Sequence, residues 1–161
     1  MVWSSLSKNL FSVNCLYKEV MRLIASHDQV ILPDIWLNIS PAKTELFLWF
    51  AFLDKLPTRD LLFSIGLCPI GSNFCIFCGR FGESTEHTLL HCSFSWMVWS
   101  FFCKWWGINL VVPSNLVLLF QQWKSYASSY VQIRFWTSLF YAIVWTLWLH
   151  HNDVMFNNQM A

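Results

Sequence analysis

Charged side chains are the scarcest class in this sequence: they make up 12% of its 161 residues, about half the share usual for soluble domains. Intrinsic disorder needs low hydrophobicity and high net charge, so this composition excludes it. Glycine and proline are also few, five of each, which excludes collagen-like and low-complexity chains. No run or cluster of basic residues exists. Ten Lys and Arg against nine Asp and Glu leave a formal +1, with the cations scattered from Lys8 to Arg134. A strongly electrostatic, autonomous nucleic-acid binder is therefore not expected. The opening residues MVWSSLSKNLFSVNC lack the basic start and apolar run of a secretory signal. The expectation is a reduced intracellular compartment, nucleus or cytoplasm, and not secretion, so no disulfide framework is expected of the six cysteines.

Long hydrophobic runs are missing too. The most apolar stretch, 135–149 (FWTSLFYAIVWTLWL), holds 15 residues between Arg134 and His150, short of the roughly 20 that a membrane span requires. It reads as a central core helix, with Thr137, Ser138 and Thr146 marking one face. A small membrane protein anchored by 135–149 is the least favoured reading.

What the chain has in excess is aromatic surface: 19% of residues, with 11 Trp and 15 Phe. The chain is long enough for a single domain over 1–161 with a sizeable core. Segment 9–14 suggests a short strand, and 15–25 a helix through Leu16, Val20, Leu23 and Ile24. Ser40 and Pro41 resemble an N-cap and first helical position for a helix carrying Leu46, Phe47, Trp49, Phe50 and Leu53, ended by Pro57. Thr58 can cap a short helix running to Gly66, with Asp60 in its first turn. Residues 68–82 are punctuated by glycine and proline and read as irregular loop. Ser84 or Thr85 can cap a short helix bearing His87, His91 and Cys92. Further helices are predicted over 94–106 with Gly107 as terminator, over 115–125, and from 130 to 149. The predicted fold is mainly α, a compact helical domain with a knuckle loop inserted between helices. It has an N-terminal helical part (9–67), the knuckle (68–92) and Trp-rich C-terminal helices (93–156).

One constellation carries chemistry. Cys75, Cys78, His87 and Cys92 form C-x2-C-x8-H-x4-C. Two cysteines two residues apart can reach one ion from a tight turn, and Gly79 lets the chain turn back directly after the second. His87 and Cys92 then close a tetrahedron of zinc ligands. The competing reading is that these cysteines are small buried hydrophobes; four ligand residues within eighteen positions of an irregular stretch weigh against it. His91, four residues after His87, is an alternative fourth ligand, although a thiolate at Cys92 is preferred. A filled Cys3His site leaves no open coordination position, so the zinc would be structural. No Ser–His–Asp set or paired-carboxylate arrangement is suggested, and Asp54 with Asp60 reads as helix-end chemistry. No catalytic residue is assigned.

These residues together resemble the zinc-binding domain that follows the reverse transcriptase in plant non-LTR retroelements. The resemblance covers most of the chain. It rests on Phe11-Ser12-Val13 with Tyr17, on Trp36 with Pro41-Ala42-Lys43 and Phe47-Leu48-Trp49, and on Leu56-Pro57-Thr58-Arg59-Asp60-Leu61-Leu62. It continues through Cys75, Cys78, Glu83-Ser84, His87 and Cys92, then Trp99, and ends on Trp145, Trp148, Asn152 and Phe156. His151 stands where that family usually carries arginine. The chain has no polymerase carboxylate box and no RNase H domain. The resemblance therefore implies an isolated, non-catalytic piece of a retroelement reading frame, holding structural Zn2+ and contacting RNA or single-stranded DNA. Arg80, Phe77 and Phe81 beside the knuckle are the candidate base-stacking residues, against a competing role in packing around the metal. The alternative is a protein-interaction fragment that docks on a reverse transcriptase or RNase H neighbour.

Overall fold

The computed structural model describes residues 35–67 and 73–157, all within a compact unit that begins at Ile35. The expected strand at 9–14, the helix at 15–25, the FSV motif with Tyr17, and Cys68 lie outside the described residues. What is described is mainly α, as predicted. Helix α1 spans Ala42–Phe52, α2 Arg59–Ser64, α3 Ser93–Trp106, α4 Leu116–Ser125 and α5 Tyr130–Asn157. A single π-turn, His87–His91, sits between α2 and α3. The knuckle contributes one isolated antiparallel bridge, Phe74 to Gly82.

Local chemistry accounts for most helix ends. Thr58 accepts from the Leu61 N–H at the start of α2, and Asn115 accepts from Leu118 at 2.8 Å at the start of α4. Gly107, with φ 64°, ends α3. Two expectations need correction. Pro41 itself, not Ser40, is the N-cap of α1, and no side chain caps it there. Nor does Pro57 end α1. The helix stops at Phe52 because Asp54 turns left-handed (φ 53°), and its N–H and that of Lys55 close back onto Ala51 and Phe50.

α5 is the axis of the core. Its inner face buries Thr137, Phe140, Tyr141, Val144, Leu147, Trp148 and His151. Thr137 and Thr146 therefore do not share a polar face: Thr137 is fully buried and Thr146 is exposed. Phe47 of α1 packs edge-on against Trp145, with centroids 5.1 Å apart, and also against Trp148. Trp99 of α3 meets Trp123 of α4 and Phe140 of α5 at 5.5 and 5.4 Å. Both indoles are fully buried with their N–H groups satisfied, Trp99 by the Leu89 carbonyl and Trp123 by that of Trp136, each at 2.9 Å. Among the described residues no helix is long and apolar enough to cross a membrane.

The core makes a contrast between two tryptophans on one helix. Trp99→Ala should cost about 3–5 kcal/mol of unfolding free energy. Trp105→Ala, at a position 73% exposed, should stay within about 0.5 kcal/mol of the parent. Urea denaturation followed by far-UV circular dichroism measures both.

Candidate metal centre

The knuckle is a short hairpin. The Cys75 N–H donates to the Phe81 carbonyl at 2.8 Å and that of Glu83 to Asn73 at 2.8 Å. At its tip Gly79 adopts φ 62° and its N–H returns to the Cys75 carbonyl, the left-handed step that a side chain would strain. Gly82 serves a different need: a Cβ there would stand 2.8 Å from Asp60 Oδ2. α2 approaches the hairpin that closely because the Asp60 N–H donates to the Glu83 carbonyl, while its carboxylate accepts from Asn73.

His87 and Cys92 are delivered by the π-turn. Ser84 accepts from the His87 N–H at 3.1 Å and starts the turn. In a regular α-helix, residues five apart point about 140° away from each other at 3.6 residues per turn. The wider turn, closed by the Cys92 N–H on the His87 carbonyl at 2.7 Å, followed by extended backbone at Cys92, brings both side chains round to the hairpin. Such π-turns recur at functional sites.

The ligand atoms of Cys75, Cys78, His87 and Cys92 all lie within 4.8 Å of one another. Cys75 Sγ stands 3.8 Å from Cys92 Sγ, and Cys78 Sγ 3.3 Å from His87 Nε2. Zinc–sulfur bonds of about 2.3 Å put neighbouring sulfurs in a tetrahedron about 3.8 Å apart, so this donor set fits a zinc ion in size, type and number. His91 is not part of it: its Nε2 lies 3.0 Å from the Pro113 carbonyl. Cys75 and Cys92 are buried and His87 nearly so; Cys78 is the half-exposed member.

The thiols are prepared unequally. Cys92 is pulled down to about 5, first by the hydrogen bond from Cys75, then, against its burial, by the N–H groups of Phe94 and Ser95 at the start of α3. Cys75 is pushed far up by that same bond to Cys92 and by burial, which outweigh the amides of Cys78 and Phe77. The bond thus favours the thiolate at Cys92 and the thiol at Cys75, whose proton a bound cation would displace.

Sequence reasoning did not single out the group beside these ligands, Glu83, beyond its place in a motif. Its carboxylate has no solvent exposure. Oε1 accepts from the Arg59 N–H at 3.1 Å and faces His151 Nε2 at 3.0 Å; Oε2 accepts from the Ile76 N–H at 3.0 Å. Burial raises its pKa, but the close approach and charge of His151 and the two amides outweigh this and leave it below the usual carboxylate value. Glu83 stands among polar residues, Ser84, Thr85 and Glu86, and nothing in that local pattern signals a partner as far away as His151.

The three candidate base-stacking residues separate. Phe81 is 64% exposed, with its ring 5.6 Å from that of His87, and Arg80 is exposed beside it. Both line a cavity of about 300 Å³ that Cys78, His87, His91 and Trp96 also border. Phe77 instead packs against Phe94 (4.7 Å) and stacks on His150 (5.5 Å, 11°).

A family model described as zinc-binding in reverse transcriptase matches residues 11–99, just over half of the chain. No curated protein and no solved structure is found to match it.

Protein produced with zinc should carry one equivalent by elemental analysis, and Cys75→Ser or Cys92→Ser should abolish its retention on dialysis. The sign of the pH effect follows from the thiols: loading at neutral pH releases protons, that of Cys75 among them. Retention should fall as pH drops, because protons compete with the cation for the thiolates. A pH-indicator dye during titration and metal analysis across a pH series check the two.

Proposed function

The chain belongs to the family of zinc-binding domains in reverse transcriptase, and from that premise we propose that it is a structural zinc module that contacts single-stranded nucleic acid. Membership and the Cys3His cluster support a zinc-binding accessory domain, which is not the catalytic domain of a polymerase. The contact with RNA or single-stranded DNA, and the standing of this chain as an isolated piece of a retroelement protein inside the cell, are our reading.

The observation that carries it is the exposed pair Arg80 and Phe81 at the rim of the cluster. An unpaired base can stack on the Phe81 ring while Arg80 meets a phosphate. Phe77 has a different part in this reading. Its packing among Phe94 and His150 holds the knuckle in shape, so it supports the contact from behind.

Nitrocellulose filter binding with single-stranded RNA and DNA, at low and high salt, tests the proposal. Phe81→Ala should weaken binding by about 1–3 kcal/mol. With a single cation at the rim, the salt slope should be near −0.7, as for one phosphate on a single strand. Binding undetectable at low salt removes the proposal for this chain.

A second reading has its own observation. Phe101, Trp105, Trp106 and Phe135 are 45–73% exposed on α3 and α5, with Trp106 5.7 Å from Phe135 and Phe101 5.6 Å from Trp105. Apolar surface of this kind suits docking on a protein neighbour such as a reverse transcriptase or RNase H domain. It should make the isolated chain self-associate, which Trp105→Lys should reverse in multi-angle light scattering. A monodisperse monomeric parent argues against docking.

A further inference from the structure

The family match ends at residue 99, yet the side chain that completes the surroundings of the knuckle comes from α5. We infer that Glu83 and His151 are a positioning pair for the metal centre, so that metal retention depends on a residue far outside the matched segment. The inference rests on the Cys3His cluster being a zinc site.

Glu83 is tied at both ends. Its main chain closes the base of the hairpin, N–H to Asn73 and carbonyl to Asp60. Its carboxylate reaches forward to the N–H of Ile76, the first residue inside the Cys75–Cys78 turn. That bond sets the orientation of the peptide joining Cys75 to Ile76, and with it the direction of the Cys75 sulfur. A fully buried carboxylate is tolerated only where its oxygens are matched. Arg59 supplies a backbone N–H and a guanidinium Nε at 4.0 Å, and His151 supplies the remaining close partner at 3.0 Å.

His151 is itself held rigidly. It is buried, lies flat on Trp148 (4.8 Å, 13°) and stands edge-on to Phe77 (5.8 Å, 83°). Both inner residues of the turn are therefore gripped from α5: Ile76 through Glu83, and Phe77 through the rings of His150 and His151. Groups outside the ligand shell that orient ligands tune affinity in just this way, typically by about 10–100-fold.

The test uses the full chain loaded with zinc and the chromophoric chelator 4-(2-pyridylazo)resorcinol as competitor. Glu83→Gln and His151→Ala should each weaken zinc affinity about 10–100-fold. The double variant should be little worse than the poorer single one, because the two act through each other. His151→Gln, which keeps a donor, should recover part of the loss. With Co2+ in place of zinc, Glu83→Gln should also shift the ligand-field absorption. Leu119→Ala, buried on α4 away from the knuckle, should lower thermal stability and leave affinity and spectrum unchanged. Single variants that hold zinc like the parent overturn the inference. So do losses that multiply in the double variant, or an equal loss in Leu119→Ala. A parent chain that takes up no zinc removes the centre itself, whereas a parent that loads normally beside unaffected variants removes only the pair.

Discussion

Three sulfurs and an imidazole drawn within 4.8 Å of one another set the conditions for everything around them. Crowding thiols in a largely dry space raises the cost of their charged forms, and the bond between Cys75 and Cys92 pushes the first thiol up and the second down. A divalent cation would resolve this by replacing thiol protons and offsetting most of the thiolate charge. Beyond Ile76 and Phe77, which Glu83 and the rings of Phe94, His150 and His151 hold, the hairpin tip buries little. Gly79, Arg80 and Phe81 are exposed, and one bridge is all its strand pairing. A bound metal would supply locally what apolar burial supplies elsewhere.

Elsewhere burial is ample. Trp99, Trp123 and Phe140 interlock three helices at centroid distances of 5.4–6.3 Å, and each indole N–H meets a carbonyl. The two devices meet at the π-turn. Leu89 and Leu90 point into the core and are fully buried, and Trp99 bonds the Leu89 carbonyl. His87 and Cys92 flank those leucines and face the hairpin. A turn of ordinary width would have forced a choice between core contact and ligand geometry; the wider one allows both.

The sequence makes some of this legible and leaves the rest dark, for identifiable reasons. Glycine and cap residues announce themselves, so Gly107, Asn115 and Thr58 mark helix ends where the structure has them. Asp54 does not, because a non-glycine left-handed residue carries no compositional signal, and the eye moves on to Pro57. The Cys75, Cys78, His87 and Cys92 spacing is legible because ligand chemistry restricts it; the choice between His91 and Cys92 is not, since spacing alone allows either. The structure distinguishes them through a contact, His91 to the Pro113 carbonyl, which no local pattern encodes. Glu83 and His151 illustrate the same limit more strongly. A buried pair between distant segments depends on how α5 lies against the knuckle, and periodicity along α5 shows only that one face is buried.

The scarcity of charge bears directly on how this surface can treat a nucleic acid. Three thiolates around one divalent cation leave the filled centre with a net negative charge, and the chain as a whole offers only a formal +1. Counterion release, the usual source of affinity for phosphates, is then nearly unavailable. Arg80 can offset the charge of the centre or meet one phosphate, but it cannot hold a strand alone. Whatever grip the rim has must come from ring surface, and Phe81 is the ring it exposes. Stacking tolerates any base. A contact built this way would discriminate unpaired from paired strands while reading little sequence, and its strength would depend on how rigidly the metal holds the hairpin beneath the ring.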